Sequence, residues 1–206
     1  MTERVFRVLD GGEECFEREV QANEALELYL LLLAKSDMTA KIRVKLQTKA
    51  CAKLRIALLA AGRHMASVDY LAEHETEASE SDFLLHGILA DGATKKTRME
   101  TRFETGAHGA KGVEHEKITM LDENCRNQCL PIIYAAEEDI SGEHGMSCGG
   151  IDATAAEYLA TRGLSRRSIL RNLLRSDISY VLDGLDDSEQ KIVDNYFEDF
   201  CEQNHV

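Results

Sequence analysis

A mainly β fold closed by a small C-terminal α-helical domain is the architecture this sequence predicts, and three observations predict it. From residue 40 to about 135, short apolar segments alternate with period two and are separated by polar, turn-like stretches. No amphipathic helical pattern lies between them, which removes the doubly wound α/β folds. After Asp152 the apolar period changes to 3.6. The two regions divide at 1–152, a β core, and 153–206, a helical domain.

The chain opens on strand-like Val5 to Leu9. Glu24–Lys35 is open to two readings: Ala25, Leu26, Leu28, Leu30 and Leu32 could line a strand, yet the Ala, Leu and Glu content favours helix by propensity. Then come Ile42-Val44-Leu46, Leu54-Ile56-Leu58, Val68-Tyr70, Phe83 to Leu89, Met99-Thr101-Phe103, Ile118-Met120 and Ile132-Tyr134. Sandwich, barrel and β-solenoid all accommodate such strands. Hairpin signals are confined to Asp10-Gly11 and Asp91-Gly92, which weakens hairpin-rich folds and gives ground to the solenoid. The chain has a single proline, Pro131, so nearly every residue can donate to a ladder.

The helical part divides in three. Thr154 to Arg162 is a short helix closed by Gly163, the residue type that accepts the left-handed C′ conformation. Ser165 can cap a second helix with Ile169, Leu170, Leu173, Leu174, Ile178 and Val181 on one face. It stops near Gly184. Asp187 and Gln190 look like a capping box for a third helix, whose Ile192, Val193, Tyr196, Phe197 and Phe200 share a side.

Composition excludes several function classes. Lys and Arg number 24 against 37 Asp and Glu, a net charge of −13, which argues against nucleic-acid phosphates and anionic lipid as partners. The longest apolar run, Leu30–Ala34, is far too short for a membrane span, and the N-terminus lacks the apolar core of a signal peptide. A cytoplasmic protein without membrane segments is expected. Its six cysteines are then reduced thiols or ligands rather than a disulfide framework.

Several constellations could carry chemistry. Gly145-Met146-Ser147-Cys148-Gly149 matches the nucleophile elbow of hydrolases, but the only later histidine is His205, so no triad can form in the order that fold needs. Cys125 and Cys129, followed by His144 and Cys148, have the within-pair spacing of a zinc clip. The apolar stretch Leu130 to Ala136 between the pairs favours free thiols acting as small buried hydrophobes, with at most a transient metal contact. In Glu114-His115-Glu116 a strand would turn both carboxylates away from the imidazole, so the segment reads as a solvated turn or strand end. Arg162, Arg166, Arg167, Arg171 and Arg175 are either the polar face of the second helix or a docking surface for a carboxylate-rich partner. No phosphate-binding loop is present, so any ATP chemistry belongs to another subunit.

The stretch Glu138-Asp139-Ile140-Ser141-Gly142-Glu143-His144-Gly145-Met146-Ser147-Cys148-Gly149-Gly150-Ile151-Asp152 resembles the C-terminal signature of the SufB/SufD family of iron–sulfur cluster assembly proteins. Tyr158-Leu159-Ala160-Thr161-Arg162-Gly163-Leu164-Ser165 resembles the step that follows it there, in the right order and at the right separation. His74, the pair Ser79 and Ser81, His86 to Asp91, and Ile118 to Leu121 are weaker echoes. The resemblance implies a right-handed parallel β-helix followed by a helical domain that receives a SufC-like ABC ATPase. It also implies a non-enzymatic role and a partner, either a SufB-like protein or a second copy of this chain as a homodimer. A transient iron–sulfur cluster would form at that interface. His144 occupies the position of the D-type ligand histidine, with Cys148 and Cys125 as the cysteines in its range and Arg162, Arg166, Arg167 and Arg171 as candidate partner-binding residues. Glu116 stands where the B-type cysteine falls, so the chain is similar to the D-type. Gly142 replaces a cysteine common in D-type proteins. Family members are longer, and this chain resembles a trimmed core. A degenerate D-type binding module that lacks cluster chemistry is the competing expectation.

Overall fold

The computed structural model describes residues 1–206. Eleven strands come first: β1 (Thr2–Leu9), β2 (Gly12–Val20), β3 (Ala25–Ala34), β4 (Met38–Leu46), β5 (Cys51–Ala61), β6 (Met65–His74), β7 (Glu80–Ala90), β8 (Thr94–Phe103), β9 (Ala110–Met120), β10 (Arg126–Ala135) and β11 (Ile140–Gly149). Three helices follow: α1 (Ala153–Thr161), α2 (Arg166–Val181) and α3 (Asp187–Gln203). Odd strands form one sheet in the order β1-β3-β5-β7-β9-β11, and even strands form a second in the order β10-β8-β6-β4-β2. Every pairing is parallel. The chain is therefore a β-helix of about five turns with a helical layer after it.

Period-two patterning produces this coil because alternate residues point into the lumen between the two sheets. Leu26, Leu28, Leu30, Leu32, Ile42, Val44, Leu46, Leu54, Ile56, Leu58, Tyr70, Phe83 and Leu85 fill it as one buried cluster. Asp10-Gly11 and Asp91-Gly92 turn corners between consecutive strands of opposite sheets and do not close hairpins.

Glu24–Lys35, which propensity leaves open, contains strand β3. The strand is buried on both sides: its even residues enter the lumen, while Tyr29, Leu31 and Leu33 meet the helical layer. A strand covered on both faces loses the alternation that would distinguish it from a helix. The same cover explains β5 and β7, whose later outward residues Ala57, Leu59 and Ile88 join Leu174, Ile178, Val181, Val193, Phe197 and Phe200 in a second buried cluster.

Capping follows the sequence closely. Ser165 caps α2 by accepting from the Ser168 N–H, and Gly163 takes a positive φ of 87° immediately after α1. The capping box of α3 is formed by Asp186 and Glu189, not by Asp187 and Gln190. Arg4 selects this register, because its guanidinium bridges Glu189 and the Gly184 carbonyl. On α3, Ile192 is exposed and Cys201 takes a buried place beside Phe197 and Phe200.

Besides Arg4, a second polar grip fastens the helical layer to the sheet. Asp177 of α2 accepts from Lys117 Nζ at 2.6 Å and from Thr119 Oγ1 at 3.2 Å, and its carbonyl faces His86 Nδ1 at 3.0 Å. Burial lowers the pKa of His86, so the neutral ring donates that bond.

The two ends of the coil differ. In the first turn the inward row mixes charge with apolar residues: Glu3, Arg7, Glu14 and Arg18 alternate with Val5, Leu9, Phe16 and Val20. Arg18 reaches Glu3 at 3.3 Å and lies over the Phe16 ring. Inward-pointing charges of this kind blunt an open sheet end. The last turn carries no such device. Its inward rows are Asn127, Cys129, Pro131, Ile133 and Ala135 on β10, and Gly142, His144, Met146 and Cys148 on β11.

Candidate functional site

The last turn is where the sequence-singled residues gather, and its geometry follows from register. His144 is the register partner of Glu114, Met146 of Glu116 and Cys148 of Ile118, so all three side chains point to the lumen side of β11. No further turn covers them, and His144, Met146 and Cys148 are exposed. On β10 the apolar pair Ile132 and Tyr134 points outward and not into the core, because the inward positions are taken by Pro131 and Ile133. With Leu130 they form an outer apolar stripe on an edge strand, Leu130 being 57% and Tyr134 52% exposed.

Behind this open face the lumen turns polar. Lys95 and Glu116 form an ion pair with both side chains at 0% exposure. Burial pulls the lysine pKa down, and the adjoining carboxylate opposes that pull. Asn127 Nδ2 reaches Glu116 Oε1 at 3.5 Å. Thr101 Oγ1 donates to Glu114 Oε1 at 2.7 Å, while Glu114 Oε2 has no partner. Burial pushes the Glu114 carboxyl up to about 7 and the Cys129 thiol up to about 12. Cys129 is thus a protonated thiol. The expectation for Glu114-His115-Glu116 is corrected in one respect: the carboxylates do face away from the imidazole, but they are buried in the lumen, and only His115 meets solvent, beside Glu143 at 3.1 Å.

Deeper in, His74 bridges Ser79 and Ser81 at 2.8 and 2.9 Å, and burial lowers its pKa to about 4. It is a structural, neutral imidazole stacked on Phe103.

The cysteines separate. Cys148 lies on the exposed row with its sulfur 3.8 Å from that of Met120. Cys125 is buried at the corner before β10, and its thiol donates to Asp122 Oδ2 at 3.2 Å. His144 and Cys148 are four residues apart on one strand, roughly 13 Å at the rise of a strand. They cannot share one ion, and no three His, Cys, Asp or Glu side chains converge in metal-holding geometry. The last turn presents one imidazole and one separate thiol, both able to donate to a transition metal but too far apart to hold one ion together.

Gly142 sits under Ile133: a Cβ there would lie 3.2 Å from two carbons of that side chain. The arginines also divide. Arg167 and Arg171 both donate to the Val206 backbone oxygen, and Arg171 and Arg175 pair with Glu198 and Asp194. Arg162 lies over the Tyr158 ring, and Arg166 is exposed without an ion pair. Helix α1 buries none of its residues, and Tyr158 is 57% exposed. Sequence reasoning did not mark Lys95, and it read Glu114 as part of a solvated turn or strand end. The period-two pattern did place them inward, and charged residues at inward positions were the available signal.

A helical layer on one sheet, charged inward residues in the first turn and none in the inward rows of the last complete the description, and the architecture places the chain in the class of parallel β-helix proteins. The family model "SUF system FeS cluster assembly, SufBD core domain" matches residues 17–176, and the chain belongs to that family. The chain is 29% identical over 112 residues to "Iron-sulfur cluster assembly protein SufD" of Bacillus subtilis (strain 168), covering 54% of this chain and 26% of that protein. It is 26% identical over 119 residues to the protein of the same description in Plasmodium falciparum (isolate 3D7), covering 57% of this chain and 8% of that one. The matched stretch is thus a minor part of either relative. No helix is long and apolar enough to cross a membrane.

Proposed function

We propose that this protein is a non-catalytic subunit of a SUF-type iron–sulfur cluster assembly complex, working in the cytoplasm. Its coil pairs through the last turn with a SufB-like protein or with a second copy of itself. The contrast between the two ends carries this reading: each presents two edge strands, but the first turn's inward rows carry charge, whereas the last turn has an outer stripe of Leu130, Ile132 and Tyr134 and the exposed Met146. The cluster is cargo held between partners, with His144 as this chain's ligand and Cys148 as a second donor along the same row. Cys125, tied to Asp122, contributes packing.

The helical layer receives a SufC-like ABC ATPase. Helix α1 supports this, since an apolar helix with no fully buried residue in its own chain is suited to a partner surface. Arg162 and Arg166 border it, whereas Arg167 and Arg171 are engaged internally and serve the fold. A second reading, a binding module without cluster chemistry, is favoured by Gly142 packed under Ile133 and by Glu116 held in its pair with Lys95.

Co-expression with a SufB-like protein and a SufC-like ATPase tests both readings. Met146→Lys together with Tyr134→Lys should abolish pairing, and Tyr158→Asp with Arg166→Glu should release the ATPase with circular dichroism unchanged. His144→Ala should leave the complex assembled and without cluster absorbance. A His144→Ala complex that matures clusters at the normal rate would establish the second reading.

A further inference from the structure

Cys148 on β11 and Met120 at the end of β9 stand on the inward rows of neighbouring parallel strands, and their sulfurs lie 3.8 Å apart at the rim of the last turn. Met120 is half-buried and packs against the lumen cluster, which holds its thioether in place, whereas Cys148 is exposed. Access is open. A Cβ at Gly149 would meet nothing within 4 Å, and Met120 also lines a cleft of about 760 Å³ between the β9–β10 corner and the helices. Two sulfurs that each sit about 2.3 Å from one ion, the length of a zinc–thiolate bond, are about 4.0 Å apart in a trigonal site and about 4.6 Å apart in a linear one. The observed 3.8 Å is close to the trigonal value.

Charge and donor count select the ion. One thiolate and one neutral thioether balance a single positive charge, and both are soft donors. Zinc asks for four ligands, and no three Cys, His, Asp or Glu side chains converge here. We propose that Cys148 and Met120 form a two-sulfur site for Cu(I). On binding, the Cys148 thiol loses the proton it now directs at the thioether. The electron pair left on Cys148 Sγ forms one bond to copper, a lone pair of Met120 Sδ forms the second, and the proton passes to solvent. A third position is left for solvent or an added ligand. The site goes beyond the cluster reading and needs neither partner nor iron. Its consequence for that reading is competition, since copper on Cys148 removes the second donor of the row.

The test is anaerobic titration of the full chain with Cu(I) against a chromophoric chelator, in a Cys15→Ser/Cys51→Ser background that removes the other exposed thiols. One copper per chain is expected, and Cys148→Ser should abolish binding. Met120→Leu conserves side-chain volume and should weaken binding about tenfold or more, because a direct ligand matters at least as much as the outer-shell partners whose loss costs that much. X-ray absorption at the copper edge should count two sulfur neighbours in the background protein and one in Met120→Leu. Equal affinity with and without Met120, or a single sulfur neighbour in the background protein, overturns the proposal; the second result needs no variant at Met120 or Cys148. Copper held as tightly by Cys148→Ser places the metal elsewhere and overturns it as well. Because the chain is tested alone, none of these results depends on whether His144 holds a cluster.

Discussion

Lys95→Met removes the ammonium of a pair that is wholly buried and strands Glu116 in the lumen. Glu116 then has two routes, to stay ionised in a dry site or to take a proton on folding. The first costs several kcal/mol. The second costs 1.36 kcal/mol for each pH unit above the ordinary Glu pKa of about 4.3, hence about 3.7 kcal/mol at pH 7 and about 1 kcal/mol at pH 5. The cheaper route sets the ceiling. For a chain of this size, 3.7 kcal/mol corresponds to a fall in Tm of roughly 7 to 15 °C. In the variant the folded pKa of Glu116 is raised above its unfolded value. Its contribution is therefore fully present below about pH 4.3 and is lost as pH rises, so the deficit relative to the parent protein grows with pH. The double variant Lys95→Met/Glu116→Leu should recover to within about 1 kcal/mol of the parent or exceed it, since an apolar pair avoids the desolvation of both charges. Urea unfolding of the three proteins at pH 5 and pH 7 reads all of this. A deficit that does not change with pH, or a double variant as damaged as the single one, would show that packing and not charge holds this part of the lumen.

Three further outcomes are expected. Burial holds the Glu114 pKa near 7, above its unfolded value, so the stability it contributes is present at pH 4 and lost as pH rises through 7; Glu114→Gln should therefore gain on the parent protein by a few kcal/mol between pH 5 and pH 8 in urea melts, and parallel pH curves would contradict the burial argument. Leu174→Ala, at a fully buried position between α2 and the sheet, should cost about 2 to 5 kcal/mol, measured by thermal unfolding. Gly142→Cys, which restores the cysteine expected at that position in D-type proteins, should cost about 1 to 3 kcal/mol through its contact with Ile133, with most of the loss recovered in Gly142→Cys/Ile133→Ala.

Period, caps and signature were legible in the chain itself. Inward positions from Ile42 to Met120 declare themselves because a coil with a dry lumen demands alternation, and the caps Ser165 and Gly163 act within a few residues of themselves. The signature around His144 likewise lies in contiguous sequence. What tertiary structure decided was everything that depends on a second face or a neighbouring turn. Strand β3 looks helical in composition because the helical layer buries its outer side, a contact made by residues far along the chain. The third helix takes its cap from Asp186 because Arg4, in the first turn, grips Glu189. Ile132 and Tyr134 read as core by alternation, but the phase of β10 is set by its pairing with β8, which turns them outward. Glu114 and Glu116 read as solvated because charge usually is; Lys95, one turn away in space, makes burial tolerable for Glu116. Local rules determine which residues face inward along a strand. Only the stacking of turns determines what each one meets there, and which turn is left open with His144 at its edge.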